Sequence, residues 1–480
     1  MEIIRMRKTA TLALFLVTVL CSTALSRVFE LEKLLRDAYK TSNELRTIEK
    51  ELQKAEAQVN EAMGTALPTV STSVNYAYSI SQYSPFSMPS SSEPVTLVDS
   101  LGAYGISPYD SLGRSMYMVA GAMDQMLQSL NSIAEDKRKN SLSLSLSINQ
   151  PIYAQGKVGI GLKIAETHQS MLVCKYNEVK LRVKAKVITR YHATLIAKKN
   201  FEVARQNLNL LEKSHQISVT RFNVGNGSEF DTLSTQLYLQ NAKADLYKAE
   251  SDLRLAKEAL VLAAGLSVSP ENFQLEGEIP DMPFEMTLEQ AIDNLHSNNY
   301  TVNQLKGSTE LSDYMVRLAK SDFRPMIFAG ASFGRVGRFT DFGDMNQGSN
   351  WSNDHKVFVG MNWTLFSGLQ RTQKLRQAQM DRSITYINEQ QIIENLELAV
   401  KNAYEQVMIN RNRLEAIRSV MDLAEKSYGI AAKAYEVGQR PLIDMRNAEL
   451  EMTRARTNYN AVLFAYLKAV VDLQVLTADL

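Results

Sequence analysis

The sequence predicts a mainly α fold with a transmembrane β part, built from two structural repeats, each in the order helix, strand, strand, long helix, helix. Three observations carry this prediction. One unit of sequence occurs twice, four short segments alternate apolar with small polar residues, and a heptad seam runs through one very long segment.

The duplication comes first. At an offset of 213, Phe222, Asn223, Val224 and Gly225 fall on Tyr435, Glu436, Val437 and Gly438, and Asp231 falls on Asp444. Leu237/Leu450, Ala242/Ala455 and Leu260/Leu473 are then identical, and far upstream Ile152 and Tyr153 fall on Leu365 and Phe366. An offset of 257 puts Leu31 on Leu288, Ala62 on Ala319 and Pro68 on Pro325. The expected organisation is a signal peptide over 1–26, a first repeat over 27–265, a linker over 266–285 and a second repeat over 286–480.

Taken along the chain, Arg5, Arg7 and Lys8 precede an apolar run from Leu12 to Leu20, and Ala24 to Ser26 offers a small-x-small cleavage site. The run is short for a membrane anchor. Leu20 is too bulky for a lipidation box before Cys21, so cleavage and export are expected. Beyond residue 26 no apolar run is expected to cross a bilayer as a helix.

Residues 29–66 and 286–323 read as helices of about 38 residues, 157–224 and 368–437 as much longer ones, and 228–264 and 441–480 as helices of about 40. The long members would extend ~100 Å at 1.5 Å per residue. In the second of them Ile393, Leu396, Val400, Ala403, Val407, Asn410, Leu414 and onward to Tyr435 alternate steps of three and four, a coiled-coil seam broken only by Asn410. The two shorter helices of each repeat, laid end to end, match its long one.

Strands are expected at about 69–80, 141–152, 326–335 and 356–366. In the first, Val70, Thr72, Val74, Tyr76 and Tyr78 face one way and Ser71, Ser73, Asn75 and Ala77 the other; in the second, Leu142, Leu144, Leu146 and Ile148 oppose serines. One apolar and one small polar face over about ten residues suit a strand with lipid on one side and water on the other. Four strands cannot close a barrel, and an open edge cannot sit in lipid, so several chains must share one; two chains give eight strands and three give twelve. The loop 81–140 would lie outside the cell. It carries Met116, Met118, Met123 and Met126, read as packing of a short helix near 118–134 rather than as a soft-metal site.

Composition closes off other classes. Among 480 residues Lys plus Arg (53) balances Asp plus Glu (52), which gives no field for nucleic acid, and two cysteines exclude a disulfide framework. The five histidines are scattered without metal-ligand spacing, and the GKVGIG run at 156–161 lacks the final Gly-Lys-Ser/Thr of a phosphate loop. No catalytic residue, cofactor or metal site is expected, so the chain is not read as an enzyme.

Several motifs now stand in order and in duplicate. They are the leading helices LEKLLRDAYKTSNELR and LEQAIDNLHSNNYTV, the prolines 68 and 325, the strand-to-helix joints QPIYAQGK and WTLFSGLQR, and the turns FNVGNGSEFD and YEVGQRPLID. In this arrangement the chain resembles the TolC-like outer-membrane efflux proteins, the outer-membrane factors of tripartite pumps, over nearly its whole mature length. The resemblance implies a homotrimer with a 12-strand β-barrel in the outer membrane of a Gram-negative bacterium and a 12-helix coiled-coil tunnel in the periplasm. It implies a passive exit duct for efflux or type I secretion, partnered by a periplasmic adaptor and an inner-membrane transporter. It places a gate at Tyr435, Arg440, Asp444 and Asn447, with Asn447 standing where the family carries a further aspartate, and adaptor docking at Val224, Gly225, Asp231, Val437 and Gly438. The alternative reading is a soluble periplasmic coiled-coil scaffold or adaptor, which would not need the serine-faced strands.

Overall fold

The computed structural model describes residues 27–29, 31–79, 96–108, 111–134, 140–266, 273–275, 279 and 282–480. The leader expected over 1–26 and the stretch 80–95 of the long loop lie outside the described residues.

In chain order the elements are β1 (Arg27–Phe29), α1 (Leu31–Thr41), α2 (Asn43–Gly64), β2 (Thr69–Tyr78), α3 (Leu97–Ala103), α4 (Ser111–Ala134), β3 (Asn140–Ala154), α5 (Lys157–Asn223), α6 (Glu229–Ala264), β4 (Phe273–Leu275), α7 (Leu288–Asn298), α8 (Tyr300–Ser321), β5 (Met326–Phe339), β6 (Trp351–Asn362), α9 (Gln370–Glu436) and α10 (Leu442–Thr477). They divide into two compact units. One holds the described residues of 1–61, 160–319 and 372–480, and the other those of 62–159 and 320–371.

The first unit is helical. α5 and α9 each run 67 residues, about 100 Å, without a proline. Two cores hold the unit together, and they use equivalent positions. Leu34, Ala38 and Leu45 pack with Val187 and Leu260 in one; Ala291, Leu295 and Val302, each 257 residues on, pack with Val400 and Leu473 in the other. The heptad seam of α9 is its packed face, with Val400, Val407, Asn410, Ala431 and Tyr435 buried. A second apolar row, Ile387, Leu398, Ile409 and Val420, recurs every eleven residues and is exposed. α10 contains a window long and apolar enough to cross a membrane by composition, against the expectation from sequence. Leu463, Tyr466, Leu467, Val470 and Leu473 spend that apolarity on the second core.

Two segments read as single helices are each broken in two, between α1 and α2 at Ser42 and between α7 and α8 at Asn299. These positions are 257 apart and the cause is local polar bonding. The Asn299 side-chain Oδ1 accepts from the backbone N–H of Thr301 (2.8 Å) and Val302 (3.1 Å), capping α8, while its Nδ2 donates to the Leu476 carbonyl at 2.7 Å. In the first repeat Thr41 donates to the Ala264 carbonyl at 3.2 Å. Each break thus joins the leading helices to the C-terminus of the last helix. α6 ends there at Gly265, φ 63°, and α10 at Ala478, φ 54°. The linker holds one element that the sequence did not announce: β4 pairs in parallel with β1.

The second unit is an antiparallel sheet in the order β2-β3-β5-β6. Cross-strand register keeps like with like: Val70 faces Ile148, Val74 faces Leu144, and Ser71 and Ser73 face Ser147 and Ser145. On the apolar side Val70, Val74, Val357, Val359 and Met361 are all exposed. On the other side Ser73 and Ser145 bond at 2.8 Å. Phe358 and Phe328 lie over Gly330 and Gly360, where an added Cβ would come within 2.5 Å of the rings. β2 and β6 are open edges.

The strands depart from expectation at one end. β5 and β6 run longer than expected, staying paired to Gly337 and Trp351, and Trp363 falls beyond β6 with its indole N–H donating to the Phe323 carbonyl at 3.1 Å. In the long loop the helix starts at Ser111, earlier than 118, and Met116, Met118, Met123 and Met126 are all exposed on it.

Candidate functional site

The helical unit reverses direction twice, from α5 to α6 and from α9 to α10. Both long helices end in the same hydrogen-bond pattern. Asn226 N–H reaches back to the Arg221 carbonyl and Gly225 N–H to Phe222; Gln439 N–H reaches Ala434 and Gly438 N–H reaches Tyr435. The pattern needs a left-handed residue, supplied by Gly225 at φ 76° and Gly438 at φ 78°. The starts of the returning helices differ. Ser228 caps α6 by accepting from the Phe230 N–H at 3.1 Å, whereas Pro441 opens α10 with no side-chain cap.

The residues expected at the second turn do not form one cluster. Tyr435 is 3% exposed, packed with Ala431, Leu442 and Met445. Arg440 is exposed and pairs with Asp444 of its own helix turn at 3.3 Å, which is worth about 0.5 kcal/mol. It makes no hydrogen bond or cation–π contact with Tyr435 among the described residues. Asn447 is exposed. Of the residues expected for docking, Val224 and Val437 stand exposed beside their glycines and Asp231 is half-buried.

What does reach Tyr435 comes from the end of α5. The Tyr435 hydroxyl and the Ser218 hydroxyl lie 3.0 Å apart, in buried surroundings. The Arg221 guanidinium sits over the Tyr435 ring, 4.6 Å from its centroid, and donates to the carbonyls of Tyr435 (2.5 Å) and Glu436 (2.9 Å). Neither Ser218 nor Arg221 stood out in sequence. The offset of 213 holds the available signal, since it sets Arg221 against Ala434 and Gly227 against Arg440. Each turn carries one arginine, on opposite sides of its glycine.

A second polar layer lies further along the same helices. Glu449 is 1% exposed and bonds Arg446, whose guanidinium lies over the Tyr238 ring at 4.4 Å. Burial pushes the Glu449 carboxyl up, against the downward pull of Arg446, and its Oε1 has no hydrogen-bond partner. His215 bonds Thr235 between α5 and α6 at 3.0 Å. Among the described residues no three His, Cys, Asp or Glu side chains converge on one point. The contacts described here tie the ends of the long helices to one another.

Comparison with known proteins gives a consistent set. The family model described as "Outer membrane efflux protein" matches residues 118–266 and 291–479. The chain is 24% identical to the alkaline protease secretion protein AprF of Pseudomonas aeruginosa over 347 residues, covering 70% of this chain and 69% of AprF. It is 21% identical to the outer membrane protein TolC of Vibrio cholerae, covering 70% of this chain and 77% of TolC. Among solved structures, the Campylobacter jejuni CmeC outer membrane channel superposes with a TM-score of 0.68 at 14% identity, over 94% of this chain and 85% of CmeC.

Proposed function

Since the chain belongs to the outer membrane efflux protein family, we propose that it is an outer-membrane exit duct of a tripartite efflux or type I secretion system. The duct conducts substrates passively, and energy enters through an inner-membrane transporter bridged to it by a periplasmic adaptor. The observation that carries this reading is the sheet. One face is mostly apolar, with Val70, Val74, Leu144, Val357, Val359 and Met361 exposed; the other is serine-rich along β2 and β3; and both edges are open among the described residues. Those edges are untenable in lipid unless neighbouring chains close them. Three chains would make a 12-strand barrel and, from α5, α6, α9 and α10, a 12-helix periplasmic tunnel. The reading treats 1–26 as a removed signal peptide, 27–265 and 286–480 as the two repeats, and 266–285 as their linker.

The turns at Gly225 and Gly438 are the periplasmic tips, where Val224, Gly225, Asp231, Val437 and Gly438 receive the adaptor. The second tip, with Tyr435, Arg440, Asp444 and Asn447, is the constriction. Asn447 in place of a carboxylate predicts weak cation preference, because a ring of carboxylates is what concentrates cations.

The test is single-channel conductance of the purified protein in planar bilayers, with its mass measured in detergent. A trimer of small, fluctuating conductance is the expected result. A water-soluble species that never inserts would overturn the duct and favour the coiled-coil scaffold.

A further inference from the structure

We infer that α4, in the connection between β2 and β3, is a contact surface for the same helix of neighbouring copies. Assembly then rests on a helix cluster at that end of the sheet as well as on paired strand edges. The inference rests on the reading that several chains share one barrel.

α4 has two faces in heptad spacing, and only one of them is spent. Gly113, Tyr117, Ala120 and Asp124 follow steps of four, three and four and turn inward. Ala120 is buried, and the Tyr117 hydroxyl donates to the Ile106 carbonyl at 3.3 Å. The two Asp124 carboxylate oxygens accept from the Leu97 and Val98 N–H groups at 3.0 and 3.1 Å, at the start of α3. That face ties α4 to α3 and to the segment after it. Beside it Leu112, Met116, Val119, Met123 and Met126 follow steps of four, three, four and three over about four turns, and all five are exposed. This is the seam spacing of a coiled coil, and among the described residues it stays open.

Charge and connectivity choose the occupant. A helix that lies on a lipid surface carries lysine and arginine on its polar side. α4 has one arginine, Arg114, in 24 residues. Its other charge, Asp124, is taken up at α3, so the stripe meets a copy of itself without like charges opposing. Copies are also at hand, because α4 follows β2 in the chain, and β2 is an open edge that a neighbouring chain must close in lipid. Copies related by rotation about one axis run parallel, so a stripe turned to that axis meets its own equivalents layer on layer. Methionine suits such a seam, because its unbranched thioether repacks as the copies come together.

The experiment places one thiol on the stripe, Met123→Cys, or at an exposed site off it, Met118→Cys, in full-length protein that also carries Cys174→Ser. A short bismaleimide is added to the assembly in detergent, and the mass of the assembly is measured alongside. Met123→Cys should give linked dimers holding about two-thirds of the chains of a trimer, since one thiol per copy joins only two of the three. Met118→Cys should give a small fraction of that yield. A multimer in which Met123→Cys does not link, or links no better than Met118→Cys, would overturn the inference alone. A monomeric mass would overturn the shared barrel and the inference with it. A bimane label on Met123→Cys, quenched by brominated phospholipid after reconstitution in vesicles, would put α4 on the bilayer and likewise overturn it.

Discussion

The two tips share a backbone and differ in their side chains. Both long helices end in the same reversal at a left-handed glycine, Gly225 or Gly438. Yet the first tip sends Ser218 and Arg221 across to Tyr435, whereas the second sends Arg440 only to Asp444 beside it. A duplicated unit can therefore keep one geometry in both copies and assign holding to one and being held to the other. The same division recurs elsewhere in the repeats, and each instance gives a way to test it.

The largest expected effect concerns a buried histidine without a counterpart. His192 is 2% exposed and its Nδ1 has no partner; the equivalent position in the second repeat is Glu405, which is exposed. Burial pushes the His192 imidazole down to about 4 from 6.5. The unfolded chain then binds the proton more readily than the folded one between those values. Stability from the neutral ring is complete above pH 6.5 and is lost as pH falls toward 4, a change of about 3 kcal/mol. Denaturant melts of the wild type across this window should show that slope, and His192→Phe should flatten it. An unaltered slope in the variant would remove His192 as the source.

Next comes the C-terminus of each repeat. A Cβ at Gly265 would stand 2.1 Å from Thr41 Oγ1, whereas Ala478 already adopts the equivalent conformation. Gly265→Ala should cost about 2 kcal/mol, and Ala478→Gly should be neutral or stabilise by about 1 kcal/mol. Thermal melts that gave equal shifts would show the two ends to be interchangeable.

Smaller again is the hydroxyl pair. Ser218→Ala leaves a buried tyrosine hydroxyl unpaired and should cost about 1.5 kcal/mol of local stability by hydrogen exchange, while Ala431→Ser on the other tip has no partner to gain. Combining Ser218→Ala with Tyr435→Phe should cost no more than either change alone, because neither group is then left wanting. The smallest effect belongs to Arg440→Ala, at about 0.5 kcal/mol or less, read by the same exchange experiment and reduced further by salt.

The regular parts of this fold were legible in sequence because they depend on periodicity. The long helices end within a residue or two of the expected limits, and β2 and β3 pair apolar with apolar as alternation requires. What escaped depends on partners distant in sequence. Asn299 caps α8 through neighbouring N–H groups, but its amide bond to the Leu476 carbonyl, 177 residues on, leaves no mark in the local sequence. β1 reaches β4 across more than two hundred residues. The candidate site divides likewise. Glycines 225 and 438 and Tyr435 follow from the repeated turn motif, but Arg221 reads as one more solvated arginine until α5 and α9 are seen to pack. The resemblance set Tyr435 and Arg440 together at one gate, whereas within the chain Arg440 pairs with Asp444.

The two apolar rows of α9 carry a mechanical consequence. Its packed seam repeats every seven residues, a pitch of 3.5 per turn that asks the helix to wind left-handedly around its partner. Its exposed row, Ile387 to Val420, repeats every eleven, a pitch of 3.67 that asks for the opposite hand. The relaxed helix, at 3.6, lies between them. The two pulls oppose each other, so α9 should coil less around its packed partner than the seam alone would demand, with the exposed row left to meet a neighbour on its other side.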